Sequence, residues 1–167
     1  MADYYTPTVV QQTIPEADMT PLERLLLSRI FDAERDGDGW CFFSEVSPAD
    51  MTTVARAALE AALAASEAAG PNAANRIATE QLAKLEAGEP PSHDIDLDLT
   101  TTSWELIIQD IVRRSSTLEY VSAVSSFTCS RMRADGFGGA VVVISADQIV
   151  GKSTNDLLEE FIAQVAR

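Results

Sequence analysis

The chain has 167 residues, with 12 Lys and Arg against 26 Asp and Glu and a formal net charge of -14. Apolar residues make up 46% of the chain, which excludes a disordered polyanion, so we expect the charge to lie on the surface of one compact unit. An acidic surface of this kind repels nucleic acid and anionic membranes, and it favours basic partners, cations or solubility alone.

The N-terminal sequence lacks the basic and apolar regions of a secretory signal. No apolar run reaches the roughly 18 residues that a membrane span needs. Cys41 and Cys129 lie far apart and without the spacing of metal ligands. We therefore expect a cytoplasmic protein without membrane contact, in which both cysteines are reduced and packed in the core.

Residues 1–19 are polar and contain two prolines, and we interpret them as an extended arm that either docks on the domain or stays loose. A single domain is expected over 20–167. Its first helix is predicted to begin with the sequence TPLE, because Thr20 can cap the helix, Pro21 suits the first helical position and Glu23 completes a capping box.

The segment 34–45, ERDGDGWCFFSE, has two interpretations. A calcium loop would use oxygen ligands at its first, third, fifth and twelfth positions, which are Glu34, Asp36, Asp38 and Glu45. Pro48 follows too closely for the helix that should leave such a loop. A β-turn at DGDG that leads into the β-prone WCFF explains the same residues with less strain, so we favour the turn and keep a calcium-binding module as the alternative.

Helical patterns dominate residues 47–86. Ser47, Pro48 and Asp50 resemble the start of a helix, which we expect to run through MTTVARAALEAALAASEAA, and a second helix is expected over about 73–86. A Pro-rich loop follows at 86–93. It ends at His93, the only histidine of the chain, which has no evident partner for acid-base catalysis.

Acidic and apolar residues alternate strictly over 94–99, DIDLDL, which predicts a half-buried strand. Asp94, Asp96 and Asp98 would then form a row of carboxylates about 6.5 to 7 Å apart. Such a row suits a basic, nucleic-acid-binding surface on a partner protein. The alternative is an edge strand that its charges protect from aggregation.

The C-terminal part of the chain reads as helix, strand, strand, helix. Thr102 and Glu105 predict a capping box, and Arg113 and Arg114 suit the last turn of the same helix. A long strand is expected over 118–132 and a turn at ADGFGG. The next strand, 140–145, is apolar throughout and is expected to be covered on both faces.

The sequence Gly151-Lys152-Ser153 resembles the end of a phosphate-binding loop, but Ala146 stands where that loop needs its first glycine. Ser153 or Thr154 as the N-cap of a final helix explains the segment without a nucleotide. The sequence shows no catalytic triad and no metal-ligand cluster. We therefore expect a protein that is not an enzyme, with a small hydrolase or nucleotide-binding protein as the second alternative.

The opening, MADYYTPTVVQQTIPEADMTPLERLLL, and the segment FGGAVVVISAD resemble small uncharacterised acidic bacterial proteins carried on plasmid-like and conjugative elements. The resemblance covers most of the chain. It implies a setting in which accessory proteins counter host defence or regulate transfer. It carries no catalytic motif, so it assigns no role to any residue.

Together these observations predict an α+β fold, in which a small, mainly antiparallel sheet from residues 40–45, 94–99, 118–132 and 140–145 packs against about five helices. The predicted function is that of an interaction protein in which Asp94, Asp96 and Asp98 bind a basic protein, in one form by imitating nucleic acid. No direct contact with nucleic acid or membrane is expected, and the only cofactor considered is Ca²⁺. The sequence leaves the oligomeric state open.

Overall fold

A computed structural model describes residues 2–86, 93–100 and 103–166 of the chain. This part of the chain contains five α-helices and ten strands, and every strand pair is antiparallel, so the predicted α+β fold is confirmed. None of the described helices combines the length and the apolar character that crossing a membrane requires.

The helices are α1 (Pro21–Ile30), α2 (Arg56–Ser66), α3 (Ala73–Glu86), α4 (Trp104–Arg114) and α5 (Thr154–Val165). The strands are β1 (Tyr4–Tyr5), β2 (Thr8–Val10), β3 (Ile14–Pro15), β4 (Asp32–Asp36), β5 (Gly39–Ser44), β6 (Met51–Ala55), β7 (Asp94–Asp98), β8 (Tyr120–Cys129), β9 (Phe137–Ser145) and β10 (Ile149–Ser153).

The larger sheet has the strand order β10-β9-β8-β2-β5-β3, with β1 paired to β8 and β4 paired to β5. Its centre is β2, in which Val9 lies opposite Val124 on one side and Phe43 on the other. The N-terminal segment, which was expected either to dock on the domain or to stay loose, contributes three short strands to the sheet.

The smaller sheet consists of β6 and β7 alone, and it corrects the sequence analysis in two places. Residues 94–99 do not join the main sheet. The segment Met51–Ala55 is a strand, although Ser47, Pro48 and Asp50 were expected to cap a helix running through it. The physical reason is the pair of threonines and the valine in MTTVA, because β-branched side chains favour strand over helix.

The capping signals of the sequence located the starts of two helices, α1 and α5. The side chain of Thr20 accepts a hydrogen bond from the N–H of Glu23, and the carboxylate of Glu23 accepts one from the N–H of Thr20, so the predicted capping box of α1 is confirmed. Helix α3 has the predicted limits. Residues 87–92 of the Pro-rich loop and Thr102 lie outside the described residues, and α4 has Ser103 as its N-cap.

One apolar core joins the helices to both sheets. Helix α4 packs on β8 and β9, while α1 contacts β4 and β6. The side chains that connect these layers are buried. They include Leu22, Leu26, Phe42, Ile95, Leu97, Ile107, Ile111, Val121 and Ile144. The inner face of the β6–β7 sheet is thereby fixed to the body of the protein.

The prediction that strand 140–145 is covered on both faces is wrong. Ile144 is fully buried on the side of α4, but Val141 and Val143 on the opposite side are 49% and 43% exposed. The sequence is apolar on both faces of this strand, but α4 covers only the face that carries Ile144, and α5 contacts β9 without covering Val141 and Val143.

Candidate functional site: the acidic ribbon

The two-stranded sheet of β6 and β7, called the acidic ribbon here, presents the predicted row of carboxylates. Ile95 and Leu97 of β7 are buried in the core, while Asp94, Asp96 and Asp98 are exposed. A strand places alternate side chains on one face, with about 6.5 to 7 Å between successive same-face residues. The three aspartates therefore share the outer face of a strand that the core holds in place.

The residues across the ribbon from these aspartates carry no charge. Asp94 lies opposite Ala55, Asp96 opposite Thr53 and Asp98 opposite Met51. Directly opposed residues of an antiparallel pair share a face, so the outer face of the ribbon has no cation at its cross-strand positions. The Thr53 hydroxyl donates a hydrogen bond of 2.6 Å to Asp96, which orients that carboxylate.

The two ends of the row have different neighbours. Asp98 accepts hydrogen bonds from the Thr100 hydroxyl at 2.6 Å and from the Thr100 N–H at 3.0 Å. These bonds, with a smaller contribution from Lys84, hold the pKa of Asp98 below its usual value, so this carboxyl stays ionised at neutral pH. At the other end, the exposed His93 places Nδ1 at 3.1 Å from Asp94.

This arrangement offers acceptor oxygens for Lys or Arg side chains. Carboxylates bind guanidinium and ammonium groups by charge-assisted hydrogen bonds, and Arg can bind in a bidentate manner. Among the described residues, no group of three or more His, Cys, Asp or Glu side chains is placed to hold one metal ion. A row of separate acceptors suits several cationic side chains better than a single ion.

The segment 34–45 forms a β-hairpin, as the favoured interpretation predicted. Strands β4 and β5 pair from Asp32 opposite Phe43 to Asp36 opposite Gly39, which leaves Gly37 and Asp38 as a two-residue turn. Gly37 has a φ of 56°, and Asp38 is not in the positive-φ region. This combination is the sign pattern of a type II′ turn, whose twist matches that of the flanking strands.

The four residues of the alternative calcium loop, Glu34, Asp36, Asp38 and Glu45, are not brought together. Asp38 lies in the turn, while Glu45 follows the far end of β5. At about 3.3 Å per strand residue, roughly 20 Å separate these two positions, far beyond the span of one coordination sphere. Asp36 instead accepts a hydrogen bond of 2.6 Å from Thr13. The hairpin thus corrects the predicted ligand set.

The segment resembling a phosphate-binding loop is the end of a strand and the cap of a helix. Gly151 and Lys152 belong to β10. Ser153, one of the two predicted N-cap residues, caps α5, and it also forms a capping box with Asp156. The Lys152 ammonium lies 2.5 Å from the carboxylate of Glu160, so it is already paired within the chain.

Both cysteines carry free thiols, Cys129 buried and Cys41 partly buried. Sequence reasoning missed the role of Thr53 as a donor to Asp96, because β6 was assigned to a helix. The β-branched run Thr52-Thr53-Val54 was the signal that could have identified this strand. The exposed valines of β9 were also missed, since nothing in an apolar run shows which of its faces is covered.

Comparisons with protein-family models, with curated proteins and with solved structures found no match.

Proposed function

We propose that this chain is a non-enzymatic interaction protein, which binds a basic protein through the acidic ribbon. The observation that carries the proposal is the outer face of the ribbon, on which Asp94, Asp96 and Asp98 stand exposed beside uncharged cross-strand neighbours. Exposed carboxylates whose cross-strand neighbours are uncharged can bind a partner's Lys and Arg side chains.

The partner class that fits best is a nucleic-acid-binding protein. The Lys and Arg side chains of such a protein are arranged to contact a line of phosphates. Along the axis of a duplex, the phosphates of one strand repeat about every 3.4 Å, and their spacing along the helical path is longer. Alternate residues of a strand repeat at about 6.5 to 7 Å, so carboxylates on a fixed strand can occupy some of the same cationic positions. Binding then blocks the surface that nucleic acid would use.

The rest of the molecule favours the same class of partner. The net charge of -14 attracts a basic protein from a distance and raises the rate of association. The resemblance to proteins of mobile elements agrees with an accessory role of this kind, in which a small acidic protein inhibits or regulates a basic one.

A second role for the same charges is supported by the topology. Within the described residues β7 pairs only with β6, so its other edge is unpaired, and charged side chains on such an edge prevent pairing with further strands. Neutralising the three aspartates has a different effect in each role. Loss of partner binding supports the docking role, while aggregation with unchanged binding supports edge protection alone.

The test uses the variant Asp94→Asn, Asp96→Asn, Asp98→Asn. Asparagine keeps the shape of each side chain and an oxygen that can accept the bonds from Thr53 and Thr100, so the ribbon is expected to fold. The matched control neutralises three exposed acids elsewhere. It carries Glu119→Gln, Asp147→Asn and Glu159→Gln and therefore has the same net charge.

Each form is immobilised, and proteins of a whole-cell extract of the source organism are captured at low and high salt, then displaced with duplex DNA. The proposal expects the wild type and the control to capture a basic protein that salt and DNA release, and the ribbon variant to lose it. Equal capture by the ribbon variant and the control would contradict the proposal.

A further inference from the structure

Three neighbouring strands of the main sheet differ in charge from the rest of the protein. Strands β8, β9 and β10 contain no Asp or Glu and a single cation, Lys152, in a chain with 26 acidic residues. These three strands therefore form a region without acidic residues in a strongly acidic protein. Depletion of charge at the centre of a patch is a feature of protein–protein interfaces.

The side of this sheet that faces away from α4, called the open face here, is exposed and mainly apolar, and Lys152, opposite Val141, is the one cation that β8, β9 and β10 place on it. Val9, Val124 and Val141 lie side by side across β2, β8 and β9, and Val143 lies beside Val150 of β10. With Tyr120, these residues are 43% to 55% exposed. An apolar patch that crosses four strands is unlike scattered apolar residues on a monomer surface.

Helix α5 has an apolar side that its own chain leaves uncovered. Its apolar residues recur at helical spacing and make one stripe, while Asp156, Glu159 and Glu160 lie on the opposite side. No residue of α5 is buried. The apolar stripe consists of Leu157, Leu158, Phe161, Ile162 and Val165, which are 39% to 83% exposed.

The open face and the apolar stripe are one continuous surface. Leu157, in the first turn of α5, lines a cavity of about 230 Å³ together with Val124 and Val141. The capping box at Ser153 and the ion pair between Lys152 and Glu160 fix the direction in which α5 leaves β10. The stripe therefore begins at the edge of the open face and continues beyond it.

We propose that a second copy of this chain covers this surface, so that two copies form a symmetric dimer in which the apolar stripe of each packs on the open face of the other. Taken with the size of the side chains, the exposed fractions amount to roughly 1,000 Å² per copy, against roughly 800 Å² per partner in a standard stable interface. In a dimer with a twofold axis, the apolar stripe of each copy packs on the open face of the other, so both surfaces of both copies are covered.

The chemistry of the surface disfavours other occupants. A membrane-surface helix carries Lys and Arg on its polar side, whereas the polar side of α5 carries acids. A nucleic acid needs several cations, and the three strands offer one. A basic partner needs acids, which these strands lack. The apolar surface of a second copy needs neither cations nor acids from these strands, so none of these objections applies to it.

The experiment is sedimentation equilibrium of the full chain over a range of protein concentrations, with two variants. The stripe variant carries Leu158→Lys and Phe161→Lys. The control carries Ala163→Lys and Glu159→Gln on the polar side of α5 and has the same change in net charge. Because both mutated side chains of the stripe variant are more than half exposed, the fold of the monomer is expected to survive, which circular dichroism checks.

The proposal expects a dimer for the wild type and the control, and at least a 100-fold weaker dimerisation constant for the stripe variant. A wild type that stays monomeric at about 100 μM would overturn it, as would a stripe variant that dimerises like the control. Since neither result depends on the acidic ribbon, failure here leaves the proposed function untouched, and loss of capture by the ribbon variant leaves the dimer untouched.

Discussion

At the scale of single residues, Glu23 links two helices from inside the core. Its carboxylate accepts a hydrogen bond of 2.8 Å from the N–H of Thr20 and one of 2.5 Å from Arg114, at the last turn of α4. Its side chain is fully buried, and burial raises the pKa of Glu23 against the lowering effects of Thr20 and Arg114. The charge that makes the cap and the ion pair therefore also carries a cost of desolvation.

The substitution Glu23→Gln tests that balance through pH. A carboxyl whose pKa is raised in the folded state contributes stability below its usual value of 4.5, and that contribution is lost as pH rises through the folded value. We expect Gln, which retains the capping geometry, to gain stability relative to the wild type as pH rises through this window. Urea unfolding between pH 4 and pH 8 measures the difference.

The companion variant Glu23→Ala removes the cap and leaves Arg114 without its carboxylate, and we expect it to cost about 2 to 3 kcal/mol at pH 7. A wild-type and Gln pair whose stability difference is independent of pH would show that burial does not shift the titration of Glu23.

Two glycines of the hairpin are needed for different reasons. A Cβ on Gly39 would lie 2.6 Å from the backbone oxygen of Ile14, whereas a Cβ on Gly37 would meet no atom within 4 Å. We expect Gly39→Ala to cost about 1 to 3 kcal/mol because the β3–β5 pair must separate. Gly37→Asn should cost less than about 1 kcal/mol, since Asn tolerates positive φ. Equal urea midpoints for the two variants would contradict this reading of the packing.

At the scale of elements, α1 and α5 carry the same kind of capping box but differ in what they bury. Leu22, Leu26 and Leu27 of α1 are fully buried, while α5 buries no residue and contacts β9 and β10. A helix held by few tertiary contacts opens locally at a low free-energy cost, without unfolding the domain. The stability of α5 should therefore be separable from that of the core.

We expect Ser153→Ala with Asp156→Ala to speed amide hydrogen exchange over 154–165 and to leave the midpoint of global unfolding unchanged, at a dilution that keeps the protein monomeric. Thr20→Ala in α1 should instead lower the global free energy of unfolding by about 1 kcal/mol. A fall in global stability as large as that of Thr20→Ala would mean that α5 belongs to the core.

The helices and strands also show how much of the fold could be predicted from the sequence. The helix start at Thr20, the limits of α3 and the alternation of β7 follow from local rules on capping, helix propensity and period-two burial, and all three were predicted. The pairing of β7 with β6 and the uncovered face at Val141 and Val143 were not. The pairing of strands and the covering of their faces depend on residues that are distant in sequence. An apolar segment alone does not show which element packs against it.

The candidate site likewise has features that could be predicted from the sequence and features that could not. Asp94, Asp96 and Asp98 could be placed on one exposed face because strand periodicity fixes their direction. The neutral residues across from them, and the hydrogen bond from Thr53, could not be foreseen while β6 was assigned to a helix. The separation of Asp38 from Glu45 likewise became evident only from the register of the hairpin.

At the scale of the whole molecule, charge is divided between surfaces with different uses. The ribbon exposes acids without cross-strand cations, and the open face exposes apolar groups without acids. Salt screens charge and so should weaken binding at the ribbon, while it should strengthen self-association by reducing repulsion between two chains of charge -14. Dimerisation that weakens as NaCl rises would contradict this division.

The most direct measurement is calorimetric titration of the chain with an oligo-arginine peptide over a series of NaCl concentrations. It compares the wild type, the Asp94, Asp96 and Asp98 to Asn variant and the equally charged control. If the ribbon is the docking surface, the ribbon variant binds about 10-fold more weakly than the control and its affinity depends less on salt. If both variants bind alike at every salt concentration, the peptide responds only to net charge and the ribbon is not a site.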